Sequence, residues 1–124
     1  MLEALQEYLE SSGFDNVFID FMPDAVEYPS CVYVGCYLHI PDDNATDGGG
    51  TRYIQIQVRR PDSNQALRDC GELWKLLDSG VDEELIWLDD ETYCLARPKK
   101  GPRILERGGN YTTYYCELTL WGEN

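Results

Sequence analysis

Cys36 and His39 are the residue types a cysteine nucleophile and its base require, and His39 is the single histidine of the chain. They stand three positions apart in an apolar run, CVYVGCYLHI, which reads as a strand. Side chains of a strand alternate between faces, so this spacing sends the two to opposite sides. A thiol–imidazole dyad therefore requires one of the distant cysteines, which spacing alone leaves open. A second candidate is the loop PDDNATDGGG, where Asp42, Asn44 and Thr46 stand in the register of a calcium-binding loop. Its sixth position is Asp47 rather than glycine and its twelfth is Tyr53 rather than glutamate, so the pattern fails and a flexible hairpin loop is expected. Asp89, Asp90 and Glu91 form a third group, three consecutive acids able to attract a hard cation. Any such binding would be weak, and a solvated turn is the expected reading.

Five cysteines, Cys31, Cys36, Cys70, Cys94 and Cys116, are an odd number, and none is spaced as CxxC. Buried free thiols are expected, not a disulfide framework or a zinc site. Asn44-Ala45-Thr46 and Asn110-Tyr111-Thr112 match the glycosylation pattern, and without a secretory signal the matches are expected to be accidental. The amino terminus MLEALQEYLE is acidic and amphipathic, without the positive charge of a secretion signal, so the expected compartment is a cytoplasm. No GxSxG, HExxH or glycine-rich dinucleotide fingerprint occurs. The expectation is a protein without catalytic, metal-binding or cofactor-binding residues and without a cofactor.

The elements that would position any site are legible from periodicity. Ile54, Ile56 and Val58 alternate with Gln55, Gln57 and Arg59, which predicts a half-buried strand. Pro61 and Asp62 break it. Ala66, Leu67, Cys70, Leu73, Trp74 and Leu77 then follow helical spacing, with Asp62 or Ser63 as cap and Ser79-Gly80 as the end, Gly80 in a left-handed conformation. Leu2, Leu5, Tyr8 and Leu9 predict a first helix over residues 2–11. Val17–Phe21 reads as a short strand, and Met22–Ser30 as a connection. Cys31–Ile40 reads as a central strand covered on both faces.

Leu85–Leu88 is a short apolar segment, Thr92–Arg97 a strand, Pro98–Pro102 a basic loop and Arg103–Arg107 a further short strand. In the last segment Tyr114, Cys116, Leu118 and Leu120 share one face, and Thr113, Tyr115, Glu117, Thr119 and Trp121 the other. Tyr111, Tyr114, Tyr115 and Trp121 lack the interleaved lysines or arginines of a stacking platform, so a core or subunit interface is expected of them. The order predicts an α+β fold: one domain over residues 1–124, with a mixed or mainly antiparallel sheet and two main helices packed on it.

Charge narrows the function. The formal net charge is −13, which argues against nonspecific nucleic-acid or anionic-membrane binding as the main task. Residues 1–51 hold ten acids and no lysine or arginine. Five of the ten basic residues are Arg97, Lys99, Lys100, Arg103 and Arg107. An acidic half and a basic hairpin suit head-to-tail contact between identical copies, and an unevenly charged solvated surface is the competing account.

The strand IQIQVR, a short polar turn and the helix NQALRDCGELWKLL resemble the middle of the tail terminator proteins of long-tailed bacteriophages, also known as minor capsid or tail completion proteins. The short first helix and the ending GPRILERGGNYTTYYCELTLW, a proline- and glycine-bearing turn before a long last strand, extend the resemblance over residues 1–121. It implies a structural virion protein. Copies would form a ring, hexameric, that caps the tail tube, ends its polymerisation and offers a surface for head–tail joining. The implied partners are the chain itself, the tail tube protein and the head–tail connector, with DNA only as passing cargo and no membrane. The implied location is the virion, after assembly in the host cytoplasm. The resemblance brings no catalytic residues. Arg59, Arg97, Lys99, Lys100, Arg103 and Arg107 are the candidate contacts to subunit or tube. Another neck or head-completion protein, and a small acidic cytosolic binding module, are the alternatives.

Overall fold

The computed structural model describes residues 1–41 and 49–123. The calcium-register residues Asp42, Asn44, Thr46 and Asp47 lie outside the described residues, as do the first glycosylation pattern and most of the expected hairpin loop. The elements are α1 (Leu2–Ser11), β1 (Val17–Ile19), β2 (Cys31–Pro41), β3 (Gly50–Arg60), α2 (Ser63–Leu76), β4 (Ile86–Trp87), β5 (Tyr93–Arg107) and β6 (Thr112–Glu123). Among the described residues the strands form one sheet in the order β1-β2-β3-β6-β5-β4. β1 runs parallel to β2, and every other neighbouring pair is antiparallel. The fold is α+β, with a mixed sheet. Among the described residues no helix is long and apolar enough to cross a membrane.

Strand alternation divides the sheet into two unlike faces. Val32 and Val34, Ile54, Ile56 and Val58, Cys116, Leu118 and Leu120, and Cys94 and Ala96 are buried on one of them. Leu5 and Leu9 of α1 and Cys70, Leu73 and Leu77 of the α2 region join them in one apolar cluster. Helical spacing puts each set of helix residues on one stripe, and burying that stripe against the alternate residues of the strands stabilises helix and sheet together. The opposite face carries Tyr33, Tyr53, Gln55, Gln57, Tyr115, Glu117, Thr119 and Trp121, all half-exposed, and among the described residues no helix lies over them.

The expected nucleus of β3, turn and α2 is present. The Asp62 carboxylate accepts from the Asn64 amide at 3.2 Å and caps the helix. The end differs from expectation: α2 stops at Leu76, with Leu77 as cap residue, before Ser79-Gly80. Ser79 is drawn away by β5, its amide donating to the Ala96 carbonyl at 2.9 Å while its hydroxyl accepts the Ala96 amide at 2.9 Å. Gly80 does take a left-handed φ of 74°, but it opens the following turn, closed from Glu83 to the Gly80 carbonyl at 3.2 Å.

Three other strand expectations are corrected. β1 ends at Ile19, because Asp20 turns to a left-handed φ of 55°. β2 is not covered on both faces: β1 pairs with it only at Val32, Tyr33 and Val34, and Tyr37, Leu38 and Ile40 are exposed. The expected loop Pro98–Pro102 is instead part of β5, which runs unbroken from Tyr93 to Arg107 with register shifts at Pro98/Lys100, Lys100/Arg103 and Ile104/Glu106. Prolines are tolerated there because past β4 the outer side of β5 has no strand partner among the described residues, so a missing N–H breaks no outer ladder. The Trp74 ring of α2 lies against β5 at Gly101, 3.6 Å from where a Cβ would stand, an ordinary contact distance.

Candidate interaction surface

The residues first in line for chemistry are brought to one face of β2. Cys36 is in register with Ile54 and Leu38 with Tyr53, so Tyr37 is an extra residue, a bulge. The bulge reverses the alternation. His39 pairs with Arg52 and therefore lies on the same face as Cys36, correcting the expectation of opposite faces. The Cys36 thiol donates to the Leu38 carbonyl at 3.4 Å, and His39 Nε2 lies 3.2 Å from the Gly49 carbonyl oxygen. Each group is thus engaged with backbone. The other thiols are buried. Burial pushes the Cys94 thiol up to about 11 and raises that of Cys31, and a hydrogen bond with Cys70, together with burial, raises that of Cys116. All three shifts move away from the thiolate a nucleophile requires.

The Asp89-Asp90-Glu91 group is a capped turn. Asp89 Oδ1 accepts the amides of Glu91 at 2.8 Å and Thr92 at 2.6 Å, and these backbone bonds hold its carboxyl below the usual range. Among the described residues no group of three or more His, Cys, Asp or Glu side chains is placed to hold a metal ion.

What the sheet does assemble is an aromatic and polar surface on its helix-free face. The Tyr33 ring lies over Gly35, where the space a Cβ would need is already filled by the phenol. Beside it Tyr33, Gly35, Cys36, Tyr37, Gln55 and Glu117 line a shallow depression of about 250 Å³. Gln57 donates to Gln55 at 2.8 Å and Gln55 to Glu117 at 3.4 Å, a short polar ladder across β3 and β6. Burial and the hydrogen-bonded Glu117 carboxylate push the Tyr37 phenol above its ordinary range. The Tyr37 and Tyr53 ring centroids are 6.1 Å apart, and Lys99 Nζ stands 5.3 Å from the Tyr53 centroid. A second depression continues the surface, lined by Thr51, Tyr53, Leu95, Lys99, Thr119 and Trp121 among others.

The register of β5 explains how the basic residues reach this surface. Arg97 pairs with Thr119, Lys100 with Glu117 and Arg103 with Tyr115. In an unbroken strand residues 97, 99, 101 and 103 would share a face. The bulges instead give a spacing of three, which places Arg97, Lys100 and Arg103 in line along the open face beside β6. The β6 residues Tyr115, Glu117 and Thr119 therefore do have basic neighbours. The sequence hides them, because they come from the adjacent strand.

The six candidate contact residues fall into two groups. Arg97, Lys99, Lys100, Arg103 and Arg107 are exposed on β5, with Arg97 ion-paired to Glu83. Arg59 is only 5% exposed. It donates to the carbonyls of Pro23 at 2.6 Å and Tyr28 at 2.8 Å, with Tyr111 stacked on its guanidinium at 5.5 Å. It braces the connection between β1 and β2 against β3. Arg60, which no motif or spacing singles out, does the same on the covered face: it donates to Asp69 of α2 at 2.9 Å and to the Cys31 carbonyl at 3.3 Å.

The chain is similar in fold to a solved structure that carries no functional name, at a TM-score of 0.54 and 15% identity, over 100% of this chain and 96% of that one. The likeness shows the fold and reaches no further. No family model and no curated protein matches the chain.

Proposed function

We propose that this chain is a structural virion protein, a tail terminator of a long-tailed bacteriophage. Copies form a ring, hexameric by the resemblance, that caps the tail tube, stops its polymerisation and presents a surface to the head–tail connector. Its partners are then itself, the tail tube protein and the connector. DNA passes through the ring without being held, and the location is the tail or neck of the virion.

The observation that carries the reading is the helix-free sheet face, with Tyr33, Tyr37, Tyr53 and Trp121 on it and the basic residues of β5 along it. Aromatic residues that are half-exposed on a rigid sheet are typical of surfaces that another protein covers. The resemblance over IQIQVR and NQALRDCGELWKLL supplies the identity of that assembly. An acidic excess of −13 fits a channel wall past which DNA slides without sticking.

Light scattering over a concentration series, with negative-stain imaging, tests it. Rings of about six subunits, or capping of added tail tubes by monomers, are expected. A protein that stays monomeric and ignores the tubes overturns the reading and leaves the small acidic binding module in its place.

A further inference from the structure

The described chain before β3 is acidic without a basic residue, and the free stretch of β5 is basic, although exposed Asp82, Glu83, Glu84, Asp89, Asp90 and Glu91 place acids beside β4 as well. At one edge, α1 packs on β1, and Glu7, Glu10, Asp15, Asp20 and Asp24 are exposed around them. Glu3, Glu7 and Glu10 follow i, i+4, i+7 spacing, so they share the outer face of α1, opposite buried Leu5 and Leu9. The described part of the chain before β3 holds no lysine or arginine to neutralise them. Towards the other edge, β4 pairs with β5 only at Tyr93 and Cys94. From Lys99 to Arg107 the outer side of β5 has no strand partner among the described residues. That stretch carries Lys99, Lys100, Arg103 and Arg107, with exposed Ile104 and Leu105 between them. Its single acid, Glu106, accepts from the Tyr111 hydroxyl at 2.7 Å.

Resting on the ring reading above, we infer that the β5 segment Lys99–Arg107 is the docking surface for the acidic α1 edge of a second copy of this chain. The contact is heterologous: each copy offers its basic edge to one neighbour and its acidic edge to the next, the geometry that closes a ring instead of a two-fold dimer. Two features decide against strand addition as the mode of contact. Bulges and prolines at Pro98, Lys100 and Pro102 spoil the regular ladder that an added strand needs. The charges supply the specificity instead, with Ile104 and Leu105 as small apolar contacts inside a charged frame. Nucleic acid is the less suitable occupant. The chain as a whole repels it at −13, and Lys99 sits on the Tyr53 ring, where a base would have to stack.

The test uses two charge-swapped proteins. One carries Glu7→Lys, Glu10→Lys and Asp15→Lys; lysine is acceptable at the end of α1, whose last turn has no basic residue. The other carries Lys99→Glu, Lys100→Glu and Arg103→Glu. Circular dichroism melts identify folded variants before sedimentation is measured at low and high salt. Each protein alone is expected to self-associate about tenfold or more weakly than the unaltered chain, in solution or on tail tubes. An equimolar mixture should regain assembly, because the two swapped edges are again complementary, and salt should dissolve it. Variants that each assemble like the unaltered chain overturn this docking while leaving the ring reading standing. An unaltered chain that neither assembles nor caps tubes ends both. A labelled single-stranded oligonucleotide that binds the unaltered chain, and is lost on reversing Lys99, Lys100 and Arg103 without any effect on assembly, assigns the strip to nucleic acid and overturns the inference.

Discussion

The two faces of this sheet are built from the same strands, yet they obey different rules. On the covered face Ile54, Ile56 and Val58 meet Leu118, Cys116 and Tyr114 across β3 and β6, and helices exclude water from them. On the open face the intervening residues Gln55 and Gln57 meet Glu117 and Tyr115. Gln57 donates to Gln55 at 2.8 Å and Gln55 to Glu117 at 3.4 Å. The covered face gains stability from shape and apolar burial, so a change in volume there is costly. The open face gains little from its polar ladder, since water can replace each bond. Its composition is therefore free to serve contact with something else.

Substitutions can break or sharpen that contrast. The largest effect is expected at Leu73, fully buried between α2 and the sheet. Leu73→Ala should lower unfolding free energy by about 2–5 kcal/mol, read from the denaturant midpoint, because it leaves a cavity. Next is Arg60, whose ion-paired side chain is 10% exposed against 15% for that of Asp69. Arg60→Ala leaves that carboxylate without its close partner and should cost about 3 kcal/mol. Gly80→Ala forces a side chain into the left-handed φ of 74° and should cost about 1 kcal/mol. On the open face Gln57→Ala should shift stability by no more than about 0.5 kcal/mol. If it costs as much as Leu73→Ala, the two faces are not distinct in the way described.

The smallest effect expected is at the turn after β4. Backbone amides depress the Asp89 carboxyl, so its contribution is present above the unfolded value near 3.8 and is lost as pH falls through the lower folded value. Asp89→Asn should flatten the acid limb of a stability–pH curve and leave neutral pH nearly unchanged. An unaltered acid limb would show that the depressed carboxyl is not coupled to folding.

Much of the covered face was legible in the sequence, because alternation in IQIQV and 3.6-residue spacing in NQALRDCGELWKLL are direct consequences of burial on one side. The open face was legible only within a strand. The grouping of Thr113, Tyr115, Glu117, Thr119 and Trp121 follows from parity, but their neighbours Arg97, Lys100 and Arg103 depend on bulges that parity cannot anticipate. Cys36 and His39 illustrate the same limit, since one extra residue, Tyr37, moved them to a common face. Arg59 looked like an ordinary outward residue of an alternating strand. Only the path of residues 20–30, which fixes where the Pro23 and Tyr28 carbonyls lie, shows why it is buried.

The pairing of β3 with β6 has a consequence for the making of the protein. Ile54 must wait for Leu118, and Gly50 for Gly122, so the middle of the sheet closes only after nearly all of the intervening chain has been synthesised. Until then the nascent polypeptide has β2, β3 and α2 in hand but presents a bare strand edge, rich in isoleucine and valine, to its surroundings. Such distant pairing slows folding and favours chaperone capture during translation. Cells producing this protein quickly should therefore accumulate it in soluble form more efficiently at low temperature, where elongation slows and the waiting edges meet fewer neighbours.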